Sequence, residues 1–367
     1  MLFVNARLAR ATAVLATVAI INSKTSKGFS LSIDNFPRKY GSHVSSSQGS
    51  KNFATSTAVL DTNGGDISGD GTATMSNEIF NLIKNIVGAG VLSLPAGVAS
   101  FGNAPSAMIP AAILISCIGA ISGYCFSLIG RVCAMTGAKT YRSAWDKTVG
   151  ESTSFLPAAS CTFKTLSATL AYSMILADTF TALLKPFIPA IDRTKALWGV
   201  TVTILLPLCL LKNLSSLAPF SLLGIIGMAY TAVAMSIRYF GGDYALPLGK
   251  FLASVSPDFQ PSFGSLGASG IFNPNAFILV CMLSTAYMSH FNAPKFYVEL
   301  KNNTIRRYNT VVATSFATSI AIFTAITAMG FLTFGANASG LILNNYSLSD
   351  KLMGFSRIAV AVSIVFS

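Results

Sequence analysis

A chain of 367 residues that is 52% hydrophobic and only 10% charged, with a mean hydropathy of +0.61, has too little charge to cover a soluble domain of its size. Its net charge of +12 does not mark a nucleic-acid-binding surface, because the basic residues sit mainly in alternate connections between apolar runs. The composition is that of an all-α polytopic membrane protein, with the lipid bilayer as its first partner and no nucleic acid.

Residues 1–75 read as a separate, disordered cytosolic tail, since Ser, Thr, Gly, Asn and Lys dominate from Asn22 onward. Arg7 and Arg10 precede the short apolar run Ala11–Ile21, and no acid appears before Asp34. Eleven residues are too few to span, so 1–22 is either a targeting segment or the plain start of that tail.

Residues 76–367 form a transmembrane domain of about eight spans: 78–102, 107–131, 157–184, 196–211, 217–239, 275–297, 309–334 and an eighth beginning near Leu352. Sixteen basic residues fall in the tail and the connections on its side, six on the opposite side and three inside spans, which places the N-terminus in the cytosol. The sequons at Asn337 and Asn345 then face outward, where glycosylation is expected, whereas those at Asn213 and Asn302 face the cytosol and are silent. About 14 apolar-leaning residues follow Met353 before Ser367, fewer than the roughly 20 a span needs, so the sequence reads as truncated within span eight. The six cysteines lie in or beside apolar spans and read as buried small hydrophobes.

Two spans are interrupted. "NIVGAGVLSLPAG" (85–97) puts Gly88, Gly90, Pro95 and Gly97 inside the first, and "STAYMSHFNAPKFYVE" (284–299) puts Ser289, His290, Asn292 and Pro294 in the sixth. Unpaired backbone costs several kcal/mol per group in hydrocarbon, so a break is tolerated only where it is buried in protein or lines a cavity. Such breaks form substrate and ion sites in secondary transporters, with freed N–H groups facing a carboxylate and freed carbonyls a cation. A single Gly-x-Gly would more often be a packing kink. Breaks in the first and sixth spans together are what a five-helix inverted repeat requires. Gly119-x-x-x-Gly123 reads as a small-residue packing face without a ligand.

"FNLIKNIVGAGVLSLPAGVASFG" (80–102), "LAYSMILADTF" (170–180), "LLPLCLLKNLSSLAPFSLLGI" (205–225), "SHFNAPKFYVELKN" (289–302) and "GFLTFG" (330–335) together resemble the amino acid/auxin permease family, which includes vacuolar and sodium-coupled neutral amino acid transporters. The resemblance runs over about 76–367. It implies eleven spans on the LeuT-like inverted-repeat fold of the amino acid–polyamine–cation superfamily, of which the last three are missing here. It also implies an amino acid substrate, with neutral ones favoured, moved with a coupled proton or sodium ion and no other cofactor. The membrane would be vacuolar or lysosomal, or else the plasma membrane.

Gly88, Ala89, Gly90 and Val91 are expected to bind substrate through backbone groups, with Ser289 and Asn292 contributing from the sixth-span break. Asn85 matches the family's polar position before the break and is a candidate for the coupled ion, including a sodium shared with first-helix carbonyls. Its alternative is an interhelical hydrogen bond. His290, which titrates near neutrality, is a proton candidate or a packing histidine. Asp178, near the outer end of span three, belongs to a proton path or to an interface, and the interface is favoured. Ser363 falls where a sodium-site hydroxyl in span eight would be. Lys84 and Lys164 are expected to snorkel, and Glu299 to pair with Lys295 or a loop cation.

Two other functions compete with transport. "GASG" (267–270) matches the Gly-x-Ser-Gly of intramembrane serine proteases, with Ser269 as nucleophile and His290 as base, but the two should lie over 20 Å apart at about 1.5 Å of rise per helical residue. A sensor or receptor on the transporter fold would use the same pocket without completing a transport cycle.

Overall fold

The computed structural model describes residues 71–210 and 218–365. Residues 1–70 with the 1–22 segment, the 212–216 connection with the Asn213 sequon, and Ser367 lie outside the described residues. Among the described residues there are helices and two isolated bridges but no strands.

The first span is two helices. Thr74 accepts a hydrogen bond from the Asn77 N–H and starts α1 (Met75–Ile86). A 3-10 turn, Ala89–Ser93, then leads into α2 (Leu94–Ala99), and the two halves meet at 41°. Pro95 sits in the first turn of α2, where its missing N–H has no helical partner to lose. The interruption therefore belongs to Val87–Ser93, and the proline opens the second half rather than kinking the first.

α3 (Met108–Thr136) ends at Gly137, whose left-handed φ of +63° closes the helix. A short α4 (Tyr141–Thr148), started by the capping box of Thr140 and Ser143, leads to α5 (Phe155–Leu184). Next come α6 (Arg193–Val200), a π turn at Thr201–Leu205 and α7 (Leu206–Leu210), which together fill the expected fourth span. α8 (Ala218–Phe240) is the fifth. The sixth is α9 (Ala276–Ala286), a 3-10 turn at His290–Asn292, and α10 (Ala293–Glu299), again with its proline, Pro294, in the first turn. α11 (Ile305–Phe334) is the seventh, and α12 (Lys351–Val365) supplies 15 residues of the eighth.

Among the described residues, five helical segments are long and apolar enough to cross a membrane, and the bent α1–α2 pair, taken as one span, makes a sixth. The protein is thus an integral membrane protein of multi-pass type. α11 lies at the centre, packed against α1, α2, α3 and α8, while α12 packs on α8 and α5. Small residues set the α3–α11 spacing: a Cβ added at Gly123 would lie 3.1 Å from Phe316 Cγ, and one at Gly119 2.6 Å from Ile320 Cγ1. That is the packing role expected of this pair. Outward faces carry Ile109, Ile113, Ile121, Phe163, Ile226 and Phe277, apolar side chains that lipid rather than protein would cover.

The cysteines depart from expectation. Of those described, Cys133 alone is buried; Cys161 is half-buried, and Cys117, Cys125 and Cys281 lie on the outward faces. An apolar thiol is as much at home in lipid as in a protein core, so membrane-depth sequence does not separate the two.

Candidate functional site

The first break exposes backbone polarity inside the bundle. Val87 still bonds back to the Ile83 carbonyl, and the Gly88 N–H turns to Ile86, after which extended backbone at Gly88 (φ −98°, ψ 179°) carries the chain into the 3-10 turn. Ala89 and Gly90 open that turn, so their N–H groups have no acceptor within it. Two of the freed carbonyls are answered locally: Gly88 accepts from the Val91 N–H (3.2 Å) and Gly90 from Ser93 Oγ (2.7 Å). α5, α11 and α12 surround the turn. Ala89 and Val91 are buried, whereas a Cβ added at Gly90 would meet nothing within 4 Å. Open space thus lies against Gly90. At Gly88 a Cβ would come 2.8 Å from Tyr172 Oη of α5, so the tyrosine hydroxyl reaches the break.

The second break faces the first. Asn292 Nδ2 donates to Asn85 Oδ1 at 3.2 Å, joining two residues 207 positions apart. α2 and α9 also pack together, since a Cβ added at Gly97 would lie 3.0 Å from Leu279 Cδ1 and Met282 Sδ. Just before α1, Ala73 pairs with the strand-like exit of α10, donating to the Glu299 carbonyl (2.9 Å) and accepting from the Lys301 N–H (2.8 Å).

Around the second break the polar groups divide into satisfied and unsatisfied. His290 Nε2 lies 3.0 Å from the Ser122 carbonyl of α3, and because a carbonyl only accepts, Nε2 carries the proton of that bond. Its ring sits 6.0 Å from that of Phe126. By contrast, Ser289 is 1% exposed and Tyr287 is fully buried, and neither Ser289 Oγ nor Tyr287 Oη has a hydrogen-bond partner among the described residues. A buried hydroxyl left alone costs about 1–3 kcal/mol, and these two lie at the second break.

The remaining sequence candidates scatter. Asp178 forms a 2.6 Å ion pair with Arg193 near the outer end of α5, an interface role away from the breaks. Ser363 is buried on α12, where its hydroxyl lies against Gly224 of α8. The Lys164 ammonium donates to the Thr285 carbonyl at the end of α9 (3.0 Å). A carbonyl near a helix break inside the bundle is a better partner for the ammonium than lipid on the way out. Glu299 pairs with Lys295 at 3.9 Å, as expected. Ser269 is exposed in the outer 3-10 turn Ala268–Phe272, and α9 separates it from His290, so the two do not form a nucleophile–base pair.

Sequence reasoning missed Tyr172, Tyr287 and the buried Glu78, whose Oε2 also lacks a partner among the described residues. Aromatic residues in an apolar run give no polar signal. Glu78 was legible as an acid at a span's edge. No group of three or more His, Cys, Asp or Glu side chains able to hold a metal ion occurs among the described residues.

A multi-pass helical membrane protein with two facing interruptions in its bundle has the build of a membrane transport protein. The chain belongs to the family described as transmembrane amino acid transporter protein, which matches residues 71–367 and is a family of transporters, not enzymes. It is 26% identical over 307 residues to the zebrafish (Danio rerio) protein named "Putative sodium-coupled neutral amino acid transporter 11", covering 80% of this chain and 62% of that protein. It is 24% identical over 306 residues to human (Homo sapiens) solute carrier family 38 member 8, covering 80% and 66%. The zebrafish sodium-coupled neutral amino acid symporter 2 is 24% identical over 313 residues, covering 81% and 61%. The chain thus spans a little under two thirds of the length of these relatives.

Proposed function

We propose that this chain carries out secondary active transport of amino acids, with neutral ones favoured, by alternating access around the breaks in its first and sixth spans. The observation that carries this reading is the Asn85–Asn292 hydrogen bond, which sets the two breaks face to face. The open space at Gly90, the N–H groups of Ala89 and Gly90, and the unpartnered hydroxyls of Ser289 and Tyr287 add to it. The α-carboxylate of the substrate would sit on the N–H groups at the head of the 3-10 turn, where the positive end of the second half-helix favours an anion. Its ammonium would turn toward the Ser289 and Tyr287 hydroxyls and the carbonyls ending α9.

In this reading one discontinuous helix would start each half of a LeuT-like inverted repeat, and residues 1–75 would be a cytosolic tail before a transporter domain at 76–367. A proton or a sodium ion would drive the cycle. His290 is the proton candidate. Asn85 with carbonyls of α1, and the Ser363 hydroxyl, are the sodium candidates. The names of the relatives favour sodium.

The test is uptake of labelled neutral amino acids into proteoliposomes, with sodium and pH gradients imposed separately. Wild-type protein and Ser269→Ala should accumulate label, and Gly88→Leu should not. Saturable binding with no counterflow would make the protein a sensor on a transporter fold and refute the proposal.

A further inference from the structure

We infer that Glu78 is a proton site coupled to closure of the bundle at the start of α1: the Ala73–Leu300 bridge shuts beside a neutral carboxylic acid, and opening the bridge releases its proton to solution. The inference deepens the transport reading and rests on it for the opening and closing of that end, but proton binding at Glu78 can be measured without transport.

Glu78 is the buried residue in the first turn of α1, 1% exposed although Ser76 and Asn77 beside it are open to solvent. Its Oε2 has no hydrogen-bond partner, and no Lys or Arg forms an ion pair with it among the described residues. The groups within electrostatic reach are Glu299 and Lys295 of α10 and Tyr308 of α11. None of them answers a carboxylate. Glu299 brings a like charge, and Lys295 is 67% exposed and turned to Glu299. The buried Tyr308 hydroxyl lies 3.3 Å from both the Phe126 and the Ala293 carbonyls and donates there. α8, which also packs on α1, has no charged residue before Arg238, and that one pairs with Asp243 and Asp350. Lys84, on α1 itself, belongs to the last turn, at the opposite end of the helix. A lone carboxylate so enclosed costs several kcal/mol, and the group takes up a proton instead.

The bridge lies within a turn of this acid. Ala73 donates to the Glu299 carbonyl (2.9 Å) and accepts from the Lys301 N–H (2.8 Å), and the Thr74 carbonyl accepts from the Glu78 N–H (3.0 Å). Gly71 continues the contact, since a Cβ added there would lie 2.5 Å from the Leu300 carbonyl oxygen. The chain entering α1 and the chain leaving α10 are thus the two sides of one bridge. Two backbone hydrogen bonds at the edge of a bundle open far more readily than its core. Water then reaches Glu78, and an exposed glutamate is ionised at neutral pH. Each opening breaks the carboxyl O–H bond, passes its proton to water and leaves a carboxylate. With one proton released per opening, the open population rises about tenfold per pH unit while the closed form stays protonated. Acid on that side therefore holds the bridge shut, and alkali loosens it.

The experiment follows hydrogen–deuterium exchange in the purified full chain in detergent, from about pH 6 to about pH 8, where an exposed glutamate stays ionised. The Ala73 and Lys301 amides report opening of the bridge. The Ser262 and Ala336 amides of the other bridge, Ser262–Gly335, are the internal standard, and the ratio of the two removes the direct effect of pH on amide exchange. That ratio should rise about tenfold per pH unit in the wild type. It should stay level in Glu78→Gln, whose amide keeps the shape of the acid and has no such proton to lose. A level ratio in the wild type overturns the inference, and this arm needs no variant. A rise that persists in folded Glu78→Gln assigns the proton to another group and overturns it as well. No uptake enters the measurement, so failure of the transport reading and failure of this inference are told apart.

Discussion

Asp350 is the most enclosed charge among the described residues, and its removal should be a severely damaging polar substitution. Its side chain has no exposure. Oδ1 accepts from Arg238 Nη2 (2.6 Å) and from the Leu352 and Met353 N–H groups (3.0 and 3.4 Å), while Oδ2 accepts from Arg238 Nε (2.9 Å) and Tyr244 Oη (3.0 Å). One carboxylate thus holds the outer end of α8, a buried loop tyrosine and the first turn of α12. Burial pushes the Tyr244 phenol far above its ordinary range, so it stays a donor in this network. Asp350→Ala leaves the Arg238 guanidinium with Asp243 alone, leaves the Tyr244 phenol without its acceptor and uncaps α12. Breaking a buried pair in this way costs about 3–5 kcal/mol.

Asp243 is the internal control. It contacts the same Arg238 at 2.7 Å, but both side chains keep close to a fifth of their surface (17% and 19%), so Asp243→Ala should cost about 1 kcal/mol or less. At about 2 °C per kcal/mol for a chain of this size, the melting midpoint in detergent should fall by roughly 6–10 °C for Asp350→Ala and by about 2 °C at most for Asp243→Ala. Replacing both partners with apolar residues, Arg238→Met with Asp350→Leu, removes the under-paired guanidinium, leaves the partly exposed Asp243 to solvent and should recover part of the loss. Equal midpoints for the two alanine variants, or a double variant no better than Asp350→Ala, would refute the reasoning.

At the first break, Gly90→Ala should leave the melting midpoint unchanged, because its Cβ meets nothing, yet lower uptake by filling the space proposed for substrate. Gly88→Ala should lower both, since its Cβ would push on Tyr172 Oη; normal uptake by Gly90→Ala would move the substrate elsewhere. Along the α3–α11 seam, Gly123→Ala should cost about 1–3 kcal/mol by overpacking Phe316, while Gly340→Ala, with open space around it, should be silent in the same melting assay. Asn345 is fully buried, its Nδ2 bonded to the Phe259 and Asn337 carbonyls and its Oδ1 to the Ser339 N–H. Glycosidase treatment should therefore release no glycan from this sequon, and Asn345→Ala should lose about 2 kcal/mol of stability.

What the sequence could reveal follows from which forces act locally. Hydropathy located the spans because each must satisfy its own backbone in lipid, and that requirement is written into about 20 consecutive residues. The two breaks were legible for the same reason. Gly88 and Gly90 in one span and the Ser289–Pro294 stretch in the other violate a rule that ordinary spans obey. Even the prolines carry local meaning, since Pro95 and Pro294 each restart a helix from its first turn. Which way a side chain points at a break is not local. Lys84 and Asn85 are neighbours in one turn, yet Asn85 meets α10's cap residue across the bundle and Lys84 goes to α8 and α12. Only the arrangement of the other helices decides between those directions. The same holds for Tyr172 and Tyr287, whose ring composition says core and whose hydroxyls say site. It holds for Asn345 too, which fits a glycosylation pattern in sequence but is tied into the fold by three hydrogen bonds. The sequence thus marked the backbone of the proposed site. The side chains around it emerged only once the helices were placed side by side.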